Sequence, residues 1–225
     1  AITEAIFDVL EIDTMRSSPG ALREGVLYDL LGRLRHEDVR ERSIFALMQR
    51  YNVDEETAQL VAKRARMLFE ATRKNWDMPR EYGVQLERAA LTHEIGMAIS
   101  HKHYHRHGAY LLRNSDLPGF SVAEQEQLAV MVAGHRGKLQ SSLFNNLGED
   151  DTRLLPRLVA LLRLASVFKY VEQLQQLPNF SIESSAQTLQ LTFPDDWLEQ
   201  HPLSQSELIA EKALFTQLGL RLKVN

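Results

Sequence analysis

Apolar positions recur every three or four residues along most of the chain, the spacing of one face of an α-helix. Ala21, Leu22, Val26, Leu27, Leu30, Leu31 and Leu34 follow it, as do Ile44, Phe45, Leu47 and Met48. Asp54-Glu55-Glu56-Thr57 is an acid-rich helix start, because carboxylates accept from the unsatisfied N–H groups of a first turn and favour its positive dipole end. The helix it opens puts Leu60, Val61, Ala65, Leu68 and Phe69 on one side. Leu86, Ala89, Ala90 and Leu91 mark another helical face. Met78-Pro79 and Leu117-Pro118-Gly119 interrupt the pattern, and Ser121-Val122-Ala123-Glu124 has the spacing of a capping box opening a helix through Val132. Residues 154–174 are the most apolar stretch and predict the helix at the centre of a bundle.

Beyond Pro178 the period changes to two. Phe180-Ser181-Ile182-Glu183 and Thr188-Leu189-Gln190-Leu191-Thr192-Phe193 alternate as strands do, with residues 184–187 suited to a hairpin turn. Two short helices, near Trp197 and over 206–218, lead to a final strand at Gly219-Leu220-Arg221-Leu222-Lys223-Val224. The pattern thus predicts a mainly α protein, with seven or eight helices over 20–176 and a small α+β subdomain of three strands and two helices over 177–225. At the other end, residues 1–10 read as an amphipathic helix and residues 12–16 as a strand. Ser17-Ser18-Pro19-Gly20 is turn chemistry. The chain opens in mid-element on Ala1 and reads as cut from something longer.

With 225 residues, 44% of them hydrophobic and 25% charged, the chain can bury a substantial core. No apolar run approaches the roughly 20 residues that span a bilayer, and no basic stretch leads into a signal core. The absence of cysteine excludes a disulfide framework and thiol chemistry, which fits a reducing compartment, the cytoplasm by default.

Charge changes the picture locally. Five of the eight histidines, His93, His101, His103, His105 and His107, fall within fifteen residues, beside Lys102 and Arg106. Between Ile95 and Asn114 there is no acid, although the formal net charge of the chain is -4. A basic island on an acidic protein points to an anionic ligand. Lys102, Arg106, Arg136 and Lys138 supply donors that suit phosphate oxygens, and nothing in the pattern points to nucleic acid. Each residue also has a plainer reading. His93 can be a core histidine bonded to Glu94 or to a backbone carbonyl, His101 and His103 solvated loop residues, Arg106 and Arg113 a solvated helix face, and Arg163 a buried ion-pair partner.

The sequence also carries resemblances. His93-Glu94 at the end of an apolar helix resembles the His-Asp pair of the HD superfamily of metal-dependent phosphohydrolases. His105-Arg106-His107-Gly108-Ala109-Tyr110-Leu111-Leu112-Arg113-Asn114-Ser115-Asp116-Leu117-Pro118-Gly119-Phe120 is similar to the C-terminal region of bacterial exopolyphosphatases and guanosine pentaphosphate phosphohydrolases, the Ppx/GppA family. Ser18-Pro19-Gly20-Ala21-Leu22-Arg23-Glu24-Gly25-Val26-Leu27-Tyr28 resembles the segment just before that region. Gly134-His135-Arg136, Leu161-Leu162-Arg163-Leu164-Ala165 and Phe193-Pro194-Asp195-Asp196-Trp197-Leu198 extend the similarity over essentially the whole chain.

The resemblance implies an HD-like helical domain over 20–176, preceded over 1–19 by the tail of an actin-like ATPase-type domain. It implies a longer enzyme that releases terminal phosphate from inorganic polyphosphate or hydrolyses guanosine pentaphosphate, using Mg2+ and an acidic base in upstream domains. A homodimer is the expected assembly. In the HD pattern the metal ligands would fall at Thr57, His93, Glu94 and Ser166. Three of the four depart from it, and hydroxyls in place of an imidazole and a carboxylate are poor ligands for a divalent ion. The expectation is therefore a degenerate site without metal or catalytic residues. Lys102, His105, Arg106, His107, His135, Arg136 and Lys138 would bind the phosphate chain. A dimerisation module and a surviving HD-type metal phosphohydrolase are the rival readings.

Overall fold

Asp54 opens a helix as its acidic cluster predicts: its carboxylate accepts from the Thr57 N–H at 3.3 Å. The computed structural model describes residues 39–225 apart from 146, 175 and 176, together with the isolated positions 7 and 9. The expected helices of residues 20–34 and the expected actin-like tail of residues 1–19 lie outside the described residues.

Six α-helices of the bundle fall among the described residues: α1 (Val39–Arg50), α2 (Glu55–Thr72), α3 (Arg80–Thr92), α4 (Tyr104–Asn114), α5 (Val122–Gly134) and α6 (Glu149–Leu174). Short 3-10 turns at Ile95–Ala98 and Ser141–Phe144 join some of them. α2 buries Val61, Ala65, Leu68 and Phe69 of the expected face, together with Ala58, while Leu60 is half-buried. In α1, Ile44, Leu47 and Met48 are buried while Phe45 is 46% exposed. Ile44, Leu47 and Met48 are spaced three and four apart, whereas Phe45 is rotated about 100° from Ile44 and leaves the stripe. The capping box at Ser121 and Glu124 forms in full.

α6 is the centre of the bundle. Leu154, Leu155, Leu158, Val159, Leu161, Leu162, Leu164 and Phe168 are all buried, so the helix is apolar around most of its circumference and packs on α2, α3 and α5.

The C-terminal subdomain has the predicted elements, β1 (Ser181–Ser185), β2 (Thr188–Thr192), α7 (Trp197–Gln200), α8 (Pro202–Gln217) and β3 (Arg221–Val224). β1 and β2 are antiparallel, and Ser184 and Ser185 stay in the ladder opposite Leu189 and Thr188. The hairpin turn is therefore two residues long, not four. β3 returns parallel to β2 after the helical crossover. α8 begins four residues earlier than the periodicity suggests, because Pro202 can occupy a first helical position, where its missing N–H leaves no hydrogen bond unmade. The subdomain docks through α8 on α6 and through β1 on α2, where the Trp76 indole donates to the Ser185 carbonyl at 2.7 Å. No helix among the described residues is long and apolar enough to cross a membrane.

Candidate functional site

α3 delivers His93 and Glu94 at its C-terminal end, and α6 faces them. The His93 ring is buried, and its Nδ1 lies 2.6 Å from the Ala90 carbonyl oxygen. Burial holds the imidazole below its ordinary pKa, so the ring is neutral, with Nδ1–H donating to that carbonyl. The lone pair is then on Nε2, which sits 3.9 Å from Glu94 Oε1. The plainer reading of His93, bonded to a backbone carbonyl, is the one the structure supports.

Glu94 has a partner that the motif does not contain. Lys169, on α6, places Nζ 2.6 Å from Glu94 Oε1, and both residues are buried. Lys169 also acts on Asp54: hydrogen bonds from Thr57 hold that carboxyl below its usual range, and the ammonium adds a weaker pull. The remaining positions of the HD pattern are engaged elsewhere. The Thr57 hydroxyl donates to Asp54 at 2.7 Å and the Ser166 hydroxyl to the Leu162 carbonyl at 2.9 Å. Among the described residues no three His, Cys, Asp or Glu side chains gather as a metal requires. An ammonium against the only carboxylate of the set, with the hydroxyls turned into backbone and capping bonds, does not fit a divalent ion.

A row of imidazoles runs from this point toward the surface. His93 meets His135 edge to face at 5.3 Å between ring centroids, His135 meets His105 at 6.3 Å, and His105 meets His103 at 6.1 Å. His135, at the end of α5, repeats the His93 arrangement, with Nδ1 2.6 Å from the Val132 carbonyl. Its Nε2 accepts from the Tyr104 hydroxyl at 3.4 Å. That hydroxyl in turn accepts from Arg136 Nη1 at 3.2 Å, and the guanidinium lies 5.2 Å over the Tyr104 ring.

His105, His135 and Arg136 are thus brought together around Tyr104 at the start of α4, and Arg106 acts on His105 from the next position. His103, at the N-cap, is held at φ 60 and places no side-chain bond on the first turn of that helix. Lys102 and Lys138 are exposed and His107 is half-buried, and among the described residues no side-chain hydrogen bond ties the three to the row. Arg113 is held by Glu126 in a two-pronged pair at 2.7 Å and belongs to a helix face. Arg163 is the buried ion-pair partner anticipated above: it reaches both oxygens of Glu211 at 2.7 and 3.0 Å.

Residues 39–212 match the family model described as Ppx/GppA phosphatase, domain III. The chain belongs to the Ppx/GppA phosphatase family. It is 40% identical over its whole length to the guanosine-5'-triphosphate,3'-diphosphate pyrophosphatase of Pseudoalteromonas translucida, of which it covers 45%. It is 36% identical over 97% of its length to the enzyme of the same name in Aeromonas hydrophila, of which it covers 44%. The chain therefore spans a little under half the length of the relatives it matches.

In this Ppx/GppA domain the buried histidines His93, His105 and His135 contribute little positive charge. Burial lowers the His105 pKa to about 4, and Arg106, His103, Arg136 and Arg163 all push the same way. Burial, then His93, holds His135 well below its ordinary value.

The depressed imidazoles also set a pH dependence. Their unfolded forms take up a proton near the ordinary value of 6.5, while the folded forms resist it. The unfolded state binds more protons as pH falls, so stability is complete above about 6.5 and declines from there toward about 4. We expect Tm to drop between about pH 7 and 5, before most carboxylates titrate, and His105→Gln to reduce that drop. A flat Tm over this range, measured by circular dichroism, is the contrary result.

Proposed function

We propose that this chain is the HD-like, C-terminal part of a phosphoanhydride hydrolase and that it binds a phosphate chain without cleaving it. The substrate class is a polyphosphorylated anion: guanosine 5'-triphosphate 3'-diphosphate, after which its relatives are named, or inorganic polyphosphate, which offers the same oxygens. The observation that supports the reading is the setting of His105, where Arg106, His103, Arg136 and Arg163 all act on the ring as cations. The first-turn N–H groups of α4 lie beside it, at a helix end that favours negative charge. Phosphate oxygens would accept from Arg106 and from Arg136, with Lys102 and Lys138 drawing the chain in from solvent. His105, His107 and His135 would act as neutral hydrogen-bonding groups. Hydrolysis belongs to Mg2+ and an acidic base in the rest of the longer protein.

Isothermal titration with polyphosphate of defined length and with the guanosine nucleotide tests this reading on the chain as it stands. Arg106→Ala and Arg136→Ala should each weaken binding roughly tenfold or more, the loss of one charge-assisted hydrogen bond of about 1.5–3 kcal/mol. Affinity should also fall as salt rises, since contacts to a polyanion release counterions. Binding that neither variant alters, or that salt leaves unchanged, argues against it, as does phosphate release by the isolated chain.

A further inference from the structure

Arg136 lies just past α5 in a bend of the chain, and it is exposed. The backbone around it is held firmly: Arg163 donates to the carbonyls of Gly134 and Gly137, which bracket it, and a Cβ at Gly137 would meet the His105 ring at 3.4 Å. Those contacts hold the loop, not the guanidinium. A long exposed side chain has several rotatable bonds, and ordering it on an anion costs entropy.

Tyr104 supplies that order beforehand. It is 4% exposed, its hydroxyl accepts from Arg136 Nη1 at 3.2 Å, and the guanidinium carbon lies 5.2 Å over its ring. One buried side chain therefore holds the exposed cation twice, by its hydroxyl and by its ring. The direction of the hydroxyl is imposed from the core. His135 uses its Nδ1–H on the Val132 carbonyl at 2.6 Å, so its Nε2 accepts, and the Tyr104 O–H points to it at 3.4 Å. The lone pairs of the Tyr104 oxygen are then turned to Arg136. Arg136, Tyr104, His135 and the Val132 carbonyl form a chain in which each group donates to the next.

We propose that Tyr104 is a positioning residue for the phosphate chain, fixing the Arg136 guanidinium before the anion arrives. This rests on the phosphate-binding reading above and adds to it a residue that acts only through another. Arg106 is not served in the same way, because positions two apart on a helix do not face each other.

Tyr104→Phe is the test, since it removes the hydroxyl and keeps the core filled. In the ligand-free wild type the heteronuclear NOE of the Arg136 Nε–H should approach that of the backbone amides, and in Tyr104→Phe it should fall. In titrations with polyphosphate of defined length, Tyr104→Phe should weaken binding roughly two- to tenfold, the ordering of one long side chain. In an Arg136→Ala background the same change should do nothing further, whereas in an Arg106→Ala background it should have its full effect. A purely structural role for Tyr104 would weaken binding equally in both. The proposal is overturned if the Arg136 Nε–H is already mobile in wild type, or if Tyr104→Phe costs as much affinity without Arg136 as with it. A loss in Arg136→Ala with none in Tyr104→Phe overturns the proposal alone; an Arg136→Ala protein that binds as wild type does overturns the phosphate reading and the proposal with it.

Discussion

Gly96→Ala should unfold the site and much of the bundle around it, with a loss of at least about 3 kcal/mol, the upper end for an overpacked position. The reason is backbone, not side chain. A Cβ at position 96 would drive into the Tyr104 carbonyl oxygen and the Gly108 N–H, and would lie 3.0 Å from the His107 carbonyl carbon. A side-chain clash can be relieved by a rotamer change; here α4 itself must move away from the 3-10 turn that follows His93-Glu94. That displacement carries Tyr104, His105 and Arg106 away from His135, so anion binding should fail even where the variant remains folded. Gly108→Ala is the matched control. Its Cβ would meet Val132 Cγ1 at 3.0 Å, a methyl group that can shift, and its nearest backbone neighbour is 3.5 Å away. Urea denaturation followed by Trp76 and Trp197 fluorescence should rank Gly96→Ala well below Gly108→Ala. Equal midpoints would mean that the close approach of α4 to the turn is unnecessary.

Gly96 also marks where the sequence stops being readable. Period, caps and breakers are local signals, so α2, α5, α6 and the C-terminal hairpin could be placed from the order of residues alone. The capping box at Ser121 and the apolar run of α6 each need only a few neighbours to form. The site depends on pairs far apart in the chain. Glu94 and Lys169 are separated by 75 residues, Tyr104 and His135 by 31, and Arg163 and Glu211 by 48. A signal for Lys169 was nonetheless present: the one charged residue between Leu164 and Val171, three residues after Ser166, has to find a partner when buried. The density of histidines was legible, but their charge was not, because neutrality at His93, His105 and His135 follows from burial. Of the residues expected to bind phosphate, Arg106 and Arg136 are among the cations that act on His105.

Arg163→Ala should be the most damaging single truncation in the core, costing about 3–5 kcal/mol, the range for removing one member of a buried ion pair. Arg163 is 3% exposed and donates to both Glu211 oxygens. It also donates to the carbonyls of Gly134 at 2.7 Å and Gly137 at 3.2 Å. Its loss leaves a carboxylate and two carbonyls without their donor inside the seam between the bundle and the C-terminal subdomain. The two carbonyls bracket His135 and Arg136, so the variant should bind polyphosphate more weakly at temperatures where it is still folded. The unpaired Glu211 carboxyl would then favour its protonated form. The defect relative to wild type should therefore shrink as pH is lowered, because protonation removes the buried charge. Arg163→Met combined with Glu211→Leu separates the pair from its surroundings. If the cost comes from the stranded charge, the double variant should be more stable than Arg163→Ala, with the residual loss due to the two glycine carbonyls. Additive losses in the double-mutant cycle would place the stabilisation in packing of the arginine stem instead.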